Sequence, residues 1–185
     1  MPIVFVQRPT SESLERMGAV RRFLMIWTPA FLGMAVIATE STPTFSSENT
    51  SSWLRPIAER LFGPISTPVW EDVHHLLRKT GHFSFYGFLC VLFVRVWLLT
   101  NARNATLPTP VWRWRSWAMG VVSTFLVASV DELHQSFLPS RTGLFSDVVL
   151  DTCGGLLIST VVMLIAWQIR RSRERYAQPA ACLEA

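Results

Sequence analysis

Charged residues are scarce in this chain, since Asp, Glu, Lys and Arg make up only 16% of its 185 residues. Hydrophobic residues account for 50% of the sequence, whereas a typical soluble domain is about 25% charged. This composition disfavours a water-soluble globular domain. The net charge of +4 comes from arginines spread over the termini and linkers rather than from one amphipathic face, so we expect no nucleic-acid partner.

Cysteine is also scarce, with three residues and no C-x-x-C motif. Cys90 and Cys153 lie inside apolar runs and Cys182 lies in the C-terminal tail. This pattern offers neither a disulfide framework nor a zinc-ligand spacing. The chain also has no H-E-x-x-H motif, so metal binding is a weaker alternative, and we expect no metal and no cofactor.

Long apolar runs are plentiful, and they predict an all-α, multi-pass membrane protein with about four transmembrane helices. The predicted spans are 23–39, 79–100, 117–138 and 147–169. A spanning helix needs about 20 residues. The third apolar run ends at Val130 and gives only about 21 Å of helix. We therefore extend that helix to residue 138, which carries the acidic pair Asp131-Glu132 into the span.

Arginine positions orient the predicted bundle. The N-terminal tail 1–22, the linker 101–116 and the C-terminal tail 170–185 are rich in arginine. The positive-inside rule places these three segments in the cytoplasm. We expect the protein to lie in the cell (inner) membrane. A cleaved signal peptide is the less favoured interpretation of the first apolar run, because that run is long enough to span.

Two linkers then face outward, 40–78 and 139–146. Within the first of them we predict a polar loop over 41–52, followed by a short amphipathic helix over 53–62. That helix is expected either to lie on the outer leaflet or to dock against the bundle.

Ionisable residues occur where membrane segments usually have none, and each costs about 2.5–3.5 kcal/mol at a helix centre. They recur at helical spacing: His75, Lys79, His82 and Tyr86 on one helix, Asp131 and Gln135 on the next, and Asp147 and Asp151 on the last. Gly154-Gly155 extend the last of these faces and permit close helix approach. We expect the three faces to meet, with Arg141 beside them, in one pocket at the outer end.

At these residues the chain resembles the VanZ-like family of bacterial membrane proteins. The resemblance rests on Lys79-x-x-His82-Phe83 with Tyr86, on Asp131-Glu132-x-x-Gln135-x-Phe137-x-Pro139-x-Arg141, and on Asp147 with Gly154-Gly155. It covers residues 70–170 and implies a small bundle of about four spanning helices. The founding member is linked to resistance toward the glycopeptide antibiotic teicoplanin. Ser140 and Asp151 depart from the Gly and Asn that are common in the family, and Asp151 adds an ionisable group to the pocket.

The leading hypothesis is a cell-envelope protein whose pocket engages membrane lipids, in particular an anionic lipid-linked cell-wall molecule. The expected ligand-binding residues are Lys79, His82, Asp131, Glu132, Gln135, Arg141, Asp147 and Asp151. Three alternatives remain open. The pocket is catalytic, with Asp131, Glu132 and His82 as candidates for a hydrolase or transferase; the protein is a proton-linked transporter; or the polar network is purely structural.

Overall fold

The chain folds into α-helices in a computed structural model that describes residues 4–104, 106–139 and 143–181. Within these ranges the helices are α1 (Ser11–Glu15), α2 (Ala19–Glu40), α3 (Ser47–Phe62), α4 (Thr67–Asn101), α5 (Thr109–Ser136) and α6 (Phe145–Ala181). A single 3-10 turn, Pro43–Phe45, joins α2 to α3, and the described residues contain no β-strand. The all-α prediction is confirmed.

Three helices, α2, α4 and α6, are long and apolar enough to cross a membrane. Helix α5 has 28 residues and is long enough, at about 42 Å, to do the same. The arginines near its start and the acids Asp131 and Glu132 near its end lower its hydropathy, together with small polar side chains such as Ser116. The prediction of about four spans is therefore supported directly for three helices.

Helix α4 lies at the centre of the bundle and packs against α2, α5 and α6. Its buried side chains include Leu89, Cys90, Phe93 and Val94. Two glycines allow neighbouring helices to approach α4 closely. A Cβ on Gly154 would lie 2.2 Å from the Phe83 carbonyl oxygen, and one on Gly120 would lie 2.9 Å from the Val94 nitrogen. Gly154 thus brings α6 against α4, as its position on the polar face of α6 predicts.

A proline inside α2 is compensated by an arginine from α4. Pro29 has no N–H and so leaves the carbonyl of Met25 without its helical donor. The guanidinium of Arg95 donates to the carbonyl oxygens of Met25 and Ile26, with its shortest contact 3.1 Å long. This pairing fastens α2 to α4 and satisfies a polar group within an apolar segment.

The N-terminal segment folds over the end of the bundle where α4 ends and α5 begins. Arg8 donates to the Leu107 carbonyl at 2.7 Å and lies 5.3 Å from the ring centroid of Trp112. Arg113 donates to the carbonyl oxygen of Phe5 at 2.5 Å. Arginine side chains therefore hold this segment in place through backbone carbonyl groups.

The segment between α2 and α4 is more helical than predicted. The expected loop over 41–52 is wrong from Ser47 onward, because α3 begins there. Ser46 caps α3 by accepting a hydrogen bond from the Asn49 nitrogen. Helix α4 begins at Thr67, inside the predicted outer linker, with Pro68 in its first turn.

Candidate functional site

Asp131 is the centre of a buried hydrogen-bond cluster that joins three helices. Its Oδ1 accepts a hydrogen bond from the hydroxyl of Ser41, which terminates α2. Its Oδ2 accepts from the Tyr86 hydroxyl of α4 and from the Gln135 amide of α5, both at 2.9 Å. A buried carboxylate with three donors is well satisfied, so this cluster stabilises the arrangement of α2, α4 and α5.

Two acid–base pairs join α4 to α6 beside this cluster. The Lys79 ammonium forms a half-buried ion pair with the Asp147 carboxylate. One turn further along both helices, His82 Nδ1 lies 3.7 Å from Asp151 Oδ2. Lys79 and His82 are three residues apart on α4, and Asp147 and Asp151 are four residues apart on α6. These spacings place each set on one face of its helix, and the two faces meet.

Asp151 is fully buried, and neither of its carboxylate oxygens has a hydrogen-bond partner among the described residues. A charged carboxylate without a partner is costly in such a place. The imidazole of His82 lies within 4 Å of Asp151, and the two form an ion pair when the imidazole is protonated. The pair can therefore carry a proton on either residue.

Glu132 connects the end of α5 to the start of α6. Its Oε2 accepts a hydrogen bond from the Leu144 nitrogen at 2.9 Å, and the side chain is buried. A Cβ on Gly143 would lie 2.2 Å from the Glu132 carbonyl oxygen, so the chain passes closely over the helix end. Glu132 thereby positions the first turn of α6, which carries Asp147.

A polar cavity of about 420 Å³ opens at this end of the bundle. Its walls combine both signs of charge and come from α3, α4, α5 and α6. The lining residues are Ser47, Glu48, His75, Arg78, Lys79, His82, Glu132, Gln135, Pro139, Leu144 and Asp147. Such a volume falls within the range of small-ligand sites.

An apolar cavity of about 240 Å³ adjoins the polar cavity between α3 and α4. Its hydrophobic lining residues are Phe45, Trp53, Leu54, Leu77 and Phe85. His74 also lines it and holds α3 to α4, because its Nε2 lies 3.0 Å from the Thr50 hydroxyl of α3. Its ring stacks on Trp70 of the same helix. Arg78 and His82 line both cavities and mark the boundary between them.

The cavity gathers most of the residues that the sequence predicts as ligands. Lys79, His82, Glu132, Gln135 and Asp147 line the polar cavity. Asp131 and Asp151 lie buried behind its wall and contact the lining residues Gln135 and His82. Arg141 lies outside the described residues, so its predicted place in the pocket stays a prediction.

Arg78 and Ser41 are among the residues of the site that the predicted set lacks. Arg78 is half-buried and forms no hydrogen bond or ion pair with any described residue. Its position three residues after His75 and four before His82 places it on the same helix face, so helical spacing alone was a usable signal. Ser41 carried no such signal, because it reaches Asp131 from the end of a helix that is distant in sequence.

These features define a helical membrane protein with an ionisable cluster and a cavity at one end of its bundle. A family model described as VanZ/LLP1 matches residues 3–166, which is most of the chain. The protein belongs to this family, and the match reaches the N-terminal segment and α2 beyond the region that carried the motif resemblance. No curated protein and no solved structure matches the chain.

Proposed function

We propose that the polar cavity, together with the adjoining apolar cavity, binds an anionic lipid-linked molecule of the cell envelope. The observation that carries this proposal is the position of Arg78. Its guanidinium has no ion-pair partner among the described residues and stands between a polar and an apolar cavity. Within the described residues only the longer-range attraction of Asp147 and Glu132 offsets the partial burial of this cation. A ligand phosphate or carboxylate gives it a direct partner.

The surroundings of Arg78 support a ligand with an anionic headgroup and an apolar chain. His75, Lys79 and His82 add nitrogen donors to the polar cavity, while Asp147 holds Lys79 in position. The aromatic and leucine side chains of the apolar cavity offer a surface for hydrocarbon. In this proposal Asp131 keeps α2, α4 and α5 in place through its hydrogen bonds and does not itself touch the ligand.

The proposal includes an orientation and a phenotype. The arginine-rich tails and the linker between α4 and α5 lie in the cytoplasm, which directs the cavity to the outer leaflet of the inner membrane. A lipid-linked cell-wall precursor is exposed in that leaflet and is the proposed partner. Engagement of such a molecule is the proposed route by which the protein alters susceptibility to the glycopeptide teicoplanin.

The test compares lipids that copurify with the wild-type, Arg78→Gln and Arg60→Gln proteins from one host. Arg60 is an exposed arginine of α3 that lines neither cavity and serves as the matched control. A charge-assisted hydrogen bond contributes about 1.5–3 kcal/mol, so Arg78→Gln should lower the enriched anionic lipid by about tenfold or more. Equal enrichment in all three proteins, measured by mass spectrometry, contradicts the proposal.

The His82–Asp151 pair favours a second candidate function, in which the same cavity is the active site of a hydrolase or transferase. A carboxylate that orients an imidazole is the arrangement of a general base. His82 would then take a proton from an attacking water or hydroxyl, while Arg78 and Lys79 hold the phosphate. Labelled envelope lipids should yield a product that His82→Asn abolishes; no turnover across phospho-lipid and glycan substrates counts against catalysis.

A further inference from the structure

A groove of about 670 Å³ opens between α5 and α6 at the end of the bundle opposite to the polar cavity. Trp114 and Trp117 from the first third of α5 and Trp167 from α6 line it, together with apolar side chains such as Leu164. Arg170 lies about 35 Å along α6 from Asp147, so the two sites lie at opposite ends of the same helices. The groove is therefore a separate site.

Arginines crowd one end of this groove. Arg113, Arg170 and Arg171 line it, and Glu174 is the acid among the described lining residues. Arg170 is paired with Glu174, its Nε lying 2.7 Å from Oε1. Arg171 forms no hydrogen bond or ion pair with a described residue and lies over Trp167, 5.2 Å from the ring centroid. The groove thus combines an apolar wall with uncompensated positive charge.

We propose that this groove binds one anionic phospholipid, with an acyl chain along the tryptophans and the phosphate at Arg171 and Arg113. Arg113 uses one guanidinium nitrogen for the Phe5 carbonyl and another for the Met163 carbonyl, and it retains further N–H donors. Arginine binds phosphate through paired N–H donors, and tryptophan is enriched where headgroups meet hydrocarbon.

The position of the groove within α6 favours a lipid over a protein partner. Its apolar part lies in a helix that is long and apolar enough to cross a membrane, and Leu164 and Trp167 are exposed there. Exposed apolar side chains in such a segment face acyl chains. The excess of arginine then selects a lipid with a negative headgroup over a zwitterionic one, because each basic residue near the headgroups adds to the attraction of anionic lipid.

The test measures retention of phosphatidylglycerol and of phosphatidylcholine by the purified full-length protein, using native mass spectrometry. One variant pair addresses charge: Arg171→Gln lines the groove, whereas the control Arg175→Gln is an exposed arginine outside it. A second pair addresses the groove itself: Thr160→Trp fills it, whereas the control Val161→Trp adds the same bulk on an exposed face of α6 outside the groove.

We expect Arg171→Gln to weaken phosphatidylglycerol retention about fivefold, and Thr160→Trp to weaken it at least as much. Both controls should stay within about twofold of the wild type. Equal retention of the two lipids by the wild type overturns the proposal. So does an equal loss in Arg171→Gln and Arg175→Gln, which indicates diffuse attraction, or full retention by Thr160→Trp, which indicates that the groove is not used.

Discussion

At the scale of single residues, the acids of this site differ in how well their surroundings satisfy them. Asp131 accepts three hydrogen bonds, and Asp147 is paired with Lys79. Asp151 is fully buried and has no hydrogen-bond partner among the described residues. Arg78 is the complementary case, a cation that forms no hydrogen bond or ion pair with the residues that the structure describes. Buried ionisable groups with hydrogen-bond or ion-pair partners stabilise a fold. Those without such partners are retained where they bind a ligand or a proton.

Substitution of Asp131 tests its structural role. Asp131→Ala leaves the buried donors of Tyr86 and Gln135 without their acceptor. The Ser41 hydroxyl also loses Asp131 but keeps the Ile37 carbonyl oxygen as an acceptor. We expect a loss of about 2–4 kcal/mol in the free energy of unfolding, since each orphaned donor costs about 1–3 kcal/mol and part of this relaxes. Thermal unfolding of the detergent-solubilised protein measures it.

Tyr86→Phe is the graded control, because it removes only one of the three bonds and should cost about 1 kcal/mol. If Asp131→Ala unfolds at the wild-type temperature, the cluster does not stabilise the bundle. Asp131 would then be free for a role at the ligand.

At the scale of elements, close contact between α4 and α6 sets the geometry of the cavity. Gly154 lets α6 approach the backbone of α4 at Phe83, one residue after His82. The same approach aligns Lys79 with Asp147 and His82 with Asp151. A wider separation of the helices would break both pairs, so a small residue at 154 has a direct consequence for the site.

A matched pair of glycine substitutions tests this contact. Gly154→Ala places a Cβ 2.2 Å from the Phe83 carbonyl oxygen, whereas a Cβ on Gly81 of α4 has no atom within 4 Å. Overpacking of this kind typically costs about 1–3 kcal/mol. Gly81→Ala should instead raise stability by up to about 1 kcal/mol, because alanine favours the helix.

The readouts are the unfolding temperature and a crosslink between cysteines introduced at Lys79 and Asp147. Gly154→Ala should lower both the unfolding temperature and the crosslinking yield, whereas Gly81→Ala should lower neither. Equal behaviour of the two variants would show that α4 and α6 do not need their close approach.

The elements that could be predicted from sequence are those with a strong apolar pattern. The runs around Phe93 and Val161 predict α4 and α6, and the helical spacing of Lys79, His82, Asp147 and Asp151 predicts which faces meet. The start of α3 was missed, because Ser47 to Ser52 is polar and lacks an apolar period. Its helical state depends on the Ser46 cap, which is a local contact, and on docking through His74, which is a tertiary contact.

At the scale of the whole molecule, the helical bundle carries different chemistry at its two ends. One end joins mixed charges, an apolar cavity and Arg78, which has no ion-pair partner within the described part of the chain. The other end gathers arginines that bind backbone carbonyls or line a tryptophan-rich groove. The VanZ/LLP1 match over residues 3–166 includes the described residues of the polar cavity but ends before Trp167, Arg170 and Arg171 of the groove.

Photo-crosslinking in intact membranes shows whether the polar cavity and the adjoining apolar cavity together hold an anionic lipid-linked molecule. Both Leu77 and its neighbour Leu76 have exposed side chains, but only Leu77 lines the apolar cavity. Each is replaced in turn by the photoreactive residue p-benzoylphenylalanine. We predict that position 77 captures an anionic lipid-linked envelope molecule and that Arg78→Gln abolishes this capture. Position 76 should capture only bulk phospholipid. Identical products at the two positions would contradict this prediction.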